Sequence, residues 1–129
     1  MIEAMVAIFV IAIGLLGAAV LQAKSLQFAY ASNQRTLATI QANDLIDRLW
    51  TSICKIQNSS DLATVKSNWK DNWKNDTRFT SWSGDITGSS GVYTISIGWT
   101  DSRLKQVAAD ASQSFNFTTS IPKPAGCPA

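Results

Sequence analysis

The chain has 129 residues and a formal charge of +2, from 11 basic and 9 acidic side chains, and it contains no histidine. A balance this close gives no electrostatic field suited to nucleic acid, and the missing imidazole argues against hydrolytic or zinc chemistry, where histidine is the commonest base and ligand. A length of this size accommodates one compact domain plus an anchoring segment.

Ala4 to Leu21 carries no charged or amide side chain, and the first strongly polar groups after it are Gln22 and Lys24. About 20 residues at ~1.5 Å rise span ~30 Å, the thickness of a bilayer core. A cleavable signal peptide is the competing reading, but its apolar region usually runs only ~7–15 residues after a basic start. Here no lysine or arginine precedes the run. An anchor that stays is expected over residues 1–23, with a separate head over 24–129.

Glu3 is the only charge before Lys24. A carboxylate in hydrocarbon costs several kcal/mol without a partner. Two readings stand side by side. Glu3 lies at the membrane interface and favours the positive end of its helix, or it is a pairing charge satisfied by a cation from another subunit.

No proline or glycine occurs from Ala18 through Gln57, so the helix is expected to continue to about Cys54. Over its second half the apolar side chains thin to one face, with Leu26, Tyr30, Leu37, Ile40, Leu45, Leu49 and Ile53 as the expected stripe. Gln34, Arg35, Gln41, Asn43, Asp47 and Arg48 fill the polar positions. A helix apolar all round needs lipid or other helices around it, whereas a one-faced helix needs a domain against that face. Asn58 to Asp61 offers cap chemistry, and a second helix is expected from about Asp61 to Lys74. Leu62, Val65, Trp69 and Trp73 share one of its faces. Lys66, Lys70 and Lys74 share another, read as an ordinary solvated face in preference to a docking patch for an anionic partner.

From Phe79 the period changes to two. Tyr93, Ile95, Ile97 and Trp99 alternate with small or polar residues, the pattern of a half-buried strand. Phe115, Phe117, Thr119 and Ile121 repeat it more weakly, and a short strand is expected at Phe79 to Trp82. Gly84, Gly88 and Gly91 among serines are expected in turns. Asp101 to Asp110 reads as a connection, and Pro122, Pro124 and Pro128 exclude regular structure at the end. The fold class is α+β, a long N-terminal helix packed on a small antiparallel sheet. Such a head has a small core and needs a staple. Cys54 and Cys127, the only cysteines, read as one disulfide in an exported domain, against two unrelated free thiols.

No metal site is expected, because neither cysteine belongs to a CxxC or Cys/His cluster. Asp44 with Asp47, and Asp71 with Asp76, can be paired on paper, but no base or apolar pocket signature accompanies them. No catalytic residue and no cofactor is expected. Trp50, Trp69, Trp73, Trp82 and Trp99 suggest a ligand-binding module only if exposed, and aromatics at helical or strand spacing are more often core.

The run Met1 to Gly17, MIEAMVAIFVIAIGLLG, resembles the mature N-terminus of type IV pilins, where a leader is cut before a Phe-Thr-Leu-Ile-Glu start. Met1 stands in the leucine position, Ile2 and Glu3 match, and Met5, Val6 and Ala7 continue the pattern. Ile13 to Gly17 is similar to PilV-type minor pilins in particular. More loosely, so are the Asp61–Leu62–Trp69 helix and the Ile97-Gly98-Trp99-Thr100-Asp101-Ser102-Arg103 strand end.

The resemblance implies the type IV pilin fold and assembly into a pilus or its priming or tip complex. The anchor would exchange inner-membrane lipid for the helices of other pilin and minor pilin subunits. The acid matching Glu3 would meet a neighbour's terminal amine. The head would lie in the periplasm before assembly and outside the cell afterwards, with roles in adhesion or DNA uptake and no small-molecule substrate. Two departures are present. The two residues and basic leader expected before Met1 do not precede it, so terminal methylation is not placed. The proline that many major pilins carry near the end of the anchor is absent, leaving Gly14 and Gly17 as its weak points. A type II secretion pseudopilin shares the anchor and the acid and is the nearest rival, followed by a single-pass anchored ligand-binding module.

Overall fold

The computed structural model describes residues 1–101 and 111–127. It is α+β, with helices α1 (Ile2–Thr51) and α2 (Ser59–Trp73), then strands β1 (Thr80–Ser89), β2 (Val92–Thr100) and β3 (Ser112–Ser120). Two compact units divide it, Met1–Asn33 and Gln34–Ala129.

The first unit is helical throughout after Met1, as a run without proline allows. Every residue from Met1 to Leu26 is exposed.

In the second unit, α1 ends at Thr51 rather than near Cys54. Ser52 and Lys55 donate their N–H groups to carbonyls three residues back, at 3.2 and 2.8 Å, tightening the chain into turns before α2. The buried stripe of α1 also differs from the expected one. It consists of Gln34, Ala38, Gln41, Ala42, Leu45 and Leu49. Ile40 is 51% exposed, because one residue of helix rotates it away from Gln41. Leu26, 72% exposed, belongs to the first unit and has no place in the stripe. Ala38 and Ala42 present the small side chains that let other elements come close.

α2 starts at Ser59, two residues before the expected Asp61, with Asn58 in the extended conformation of a cap. Its expected apolar face is real. Trp69 is fully buried, and Leu62, Val65 and Trp73 pack against the core.

The three strands form an antiparallel meander in the order β1-β2-β3. β2 keeps its alternation, with Tyr93, Ile95, Ile97 and Trp99 buried. β1 is far longer than the expected Phe79–Trp82 strand, and Gly84 and Gly88 lie inside it rather than in turns. The physical reason is at Gly84, which pairs with Ile97 and faces inward. A Cβ there would stand 2.6 Å from the Trp69 ring and 2.7 Å from Trp82, so only glycine fits. The β1–β2 hairpin closes through Ser90 and Gly91, at φ 55° and 86°. Two positive φ values in a two-residue loop match the right-handed twist of the flanking strands.

The ladder between β2 and β3 continues to Asp101, whose N–H donates to Ala111 at 2.9 Å. The rest of the expected connection, residues 102–110, and Pro128 lie outside the described residues. Residues 121–127 are neither helix nor strand, as Pro122 and Pro124 require. Cys54 and Cys127 form the expected disulfide and tie that tail to the turn after α1.

Candidate functional site

The first candidate is the exposed apolar helix. Glu3 sits in the first turn of α1, and Ile2, Met5, Val6 and Phe9 share one face of its first turns. Ile2, Ile8, Phe9, Val10, Ile11, Leu15, Leu16, Val20 and Leu21 are all more than half exposed. The protein covers none of the most apolar window, which is long and apolar enough to cross a membrane. A cleaved signal or a spanning anchor passes the same test of length and composition. Gly14 and Gly17 have nothing within 4 Å of an added Cβ, so no packing within this chain requires them. Among the described residues Glu3 has no ion pair.

The second candidate is the groove between α2 and β1. Lys66, Lys70 and Lys74 line it with Ser67, Asp71 and Trp82, around about 670 Å³. Lys66 pairs with Asp85, and Lys74 pairs with Asp71 at 2.7 Å. The Lys66 ammonium holds the Asp85 carboxyl below the usual carboxylate range, with partial burial opposing it. Two of the three lysines are therefore neutralised by neighbours, and the row reads as a solvated face with local pairs.

Asp44, Asp71 and Asp76, three of the carboxylates that pair on paper, are engaged by other partners, Asp71 by Lys74. Asp44 accepts from Arg48 Nε at 3.2 Å and from Trp73 Nε1 at 2.8 Å. Asp76 accepts from Arg78 Nε and Nη2 at 2.8 and 2.7 Å, and the Arg78 backbone N–H also donates to it at 3.0 Å. Those bonds hold Asp76 below the usual carboxylate range against the opposing effect of burial. Among the described residues no cluster of three or more histidine, cysteine or acidic side chains could hold a metal.

The tryptophans do structural work. Trp69 and Trp99 are buried and Trp73 and Trp82 half-buried, while Trp50 is 48% exposed. Four indole N–H groups donate to α1. Trp69 donates to the Gln41 carbonyl at 3.0 Å and Trp82 to Gln41 Oε1 at 2.8 Å. Trp73 donates to Asp44, and Trp99 to Gln34 Oε1 at 2.9 Å. Sequence reasoning placed Gln34 and Gln41 among exposed polar positions. The available signal was the number of tryptophans, since each buried indole needs an acceptor.

A scan of family models, a search of characterised proteins and a search of solved structures each find no match.

Proposed function

We propose that this chain is a membrane-anchored filament subunit, a minor pilin of the type IV pilus kind. One observation carries the reading: an apolar helix, wholly uncovered by its own protein, bears a single acid at its start. In lipid the apolar surface is solvated, and in a filament neighbouring helices replace the lipid. Either way every backbone group of the span is satisfied inside the helix, the condition for crossing hydrocarbon. The Glu3 carboxylate tolerates the membrane interface but gains a partner only when a cation from another subunit arrives. Such a pair need not add net stability, yet it selects the register at which subunits dock.

The disulfide-closed head supports the same reading. The Cys54–Cys127 bond suits an oxidising compartment outside the cytoplasm, the side where the head of such a subunit is assembled. Pilin and minor pilin subunits are the proposed partners, with the inner membrane as the site before assembly.

The test is fractionation of an epitope-tagged chain in a cell that makes such filaments. The tagged chain should be found both in the inner membrane and in the sheared filament fraction. Recovery from the membrane alone, in cells whose filaments are intact, would refute a place in the filament.

A further inference from the structure

β3 is an edge strand of an unusual kind. Among the described residues it has a neighbour only on the β2 side. Natural proteins usually protect such an edge with charge, proline or a bulge, because its unpaired groups template another strand. Ser112–Ser120 reads SQSFNFTTS, with no charge and no proline, and its register against β2 has no bulge.

The ladder fixes which groups face outward. Ala111 accepts from Asp101, and the Ile121 N–H donates to Gly91. In an antiparallel ladder the bonding residues alternate, so odd positions of β3 address β2. Ser114, Asn116 and Thr118 therefore turn their N–H and C=O groups to the open edge. Side chains alternate as well. Phe115 and Phe117 pair with Ile97 and Ile95 on the inner face, yet Phe117 is 41% exposed. Thr118 lies on the outer face, bonded to Thr94 at 3.1 Å.

The strand is also nearly symmetric about Asn116. Phe115 mirrors Phe117, and Ser114 mirrors Thr118. We propose that β3 pairs antiparallel with β3 of a second copy of this chain, about a two-fold axis at Asn116. In that register Asn116 faces its counterpart, and Ser114 faces Thr118 of the second copy. The open edges are then bonding pairs, giving about six main-chain hydrogen bonds. Phe115 meets Phe117 of the second copy in the closer, non-bonded pairs, which covers the half-open aromatic strip. Seryl and threonyl hydroxyls meet on the outer face, and no like charges confront one another. A one-residue slip would set bonding groups against non-bonding ones and break all of these matches.

One pair of strand edges buries less than the ~1,000 Å² typical of a stable interface. The pairing is therefore weak for dilute chains and strong where two copies are held on one membrane, which raises the effective concentration. It is independent of whether the chain enters a filament.

Register-specific cross-linking of the full chain in lipid vesicles tests it, with the native disulfide intact. Asn116→Cys should form a covalent dimer about tenfold more readily than Thr87→Cys, an exposed site on β1, because facing residues lie within disulfide reach. Ser114→Cys should link poorly to itself but well to Thr118→Cys in a mixed sample. Adding Asn116→Lys to both chains should abolish that mixed product. Placing Asn116→Lys on one chain and Asn116→Glu on the other should restore it. Asn116 is exposed, so these changes leave the head folded, which unchanged tryptophan fluorescence confirms. Equal linking at positions 116 and 87, or a mixed product indifferent to paired lysines, would overturn the proposal.

Discussion

Gln34 and Gln41 are amide side chains buried in the head, at 4% and 0% exposure, and each receives an indole N–H. An apolar residue of similar size at Gln34 would leave the buried Trp99 N–H without its acceptor. Gln34→Leu should therefore destabilise the head by about 2 kcal/mol, read from urea unfolding followed by tryptophan fluorescence. A second residue-scale expectation concerns acid. Asp76 is held below its ordinary range first by its hydrogen bonds from Arg78, and Asp85 first by Lys66. A carboxyl depressed on folding stabilises the folded state fully above its unfolded value, near 3.8, and loses that contribution as pH falls through the folded one. The unfolding midpoint of the natural chain should fall more steeply below about pH 4 than that of Asp76→Asn, whose side chain does not titrate. Parallel curves for the two would refute a role for Asp76 ionisation. Neither glutamine was legible as buried, because an amide in a helix is polar by composition. Only its partner tryptophans, 41 and 65 residues away, make it a core residue.

At the scale of elements, what the sequence revealed depended on whether one side chain or a partner element decides the conformation. The long helix was legible because its first half is apolar all round and residues 18–57 carry neither glycine nor proline. β2 was legible because burial on one face writes its period directly into the residues. β1 was not, since TSWSGDITGS carries turn-forming glycines and serines, and its strand state is imposed from outside. Trp69 of α2 and Trp82 of β1 itself pack in a tilted pair with ring centres 5.5 Å apart, against backbone that only glycine leaves open. Gly84→Ala should then cost about 1–3 kcal/mol, from overpacking rather than from any change in β propensity. The same thermal or urea measurement decides it. An unchanged midpoint would mean that the tryptophans can shift without loss and that Gly84 is incidental. Within α1, the end at Thr51 and the rotation of the buried face away from Ile40 were equally hidden, because both depend on where the sheet and α2 press.

At the scale of the whole molecule, an uncovered apolar helix and a stapled head place opposite demands on solvent. The head draws its core from Ala38 onward and closes it with a bridge across 73 residues. Removing that bridge should cost about 4 kcal/mol on chain-entropy grounds, so reduction should bring the unfolding midpoint down sharply under otherwise native conditions. The apolar helix and Glu3 were legible at once, since hydropathy alone marks them. The role proposed for them needs a second subunit, which no single chain contains. The most direct measurement is therefore the distribution of Glu3→Ala between membrane and filament. The variant should insert normally, because losing a charge makes the anchor more apolar. Its head should fold and oxidise normally, because no buried residue precedes Gln34. The ratio of sheared-filament to inner-membrane protein should fall about tenfold or more, the loss expected when a desolvated charge has no partner to select its register. An equal ratio for Glu3→Ala and the natural chain, with filaments intact in both, would contradict an assembly role for Glu3.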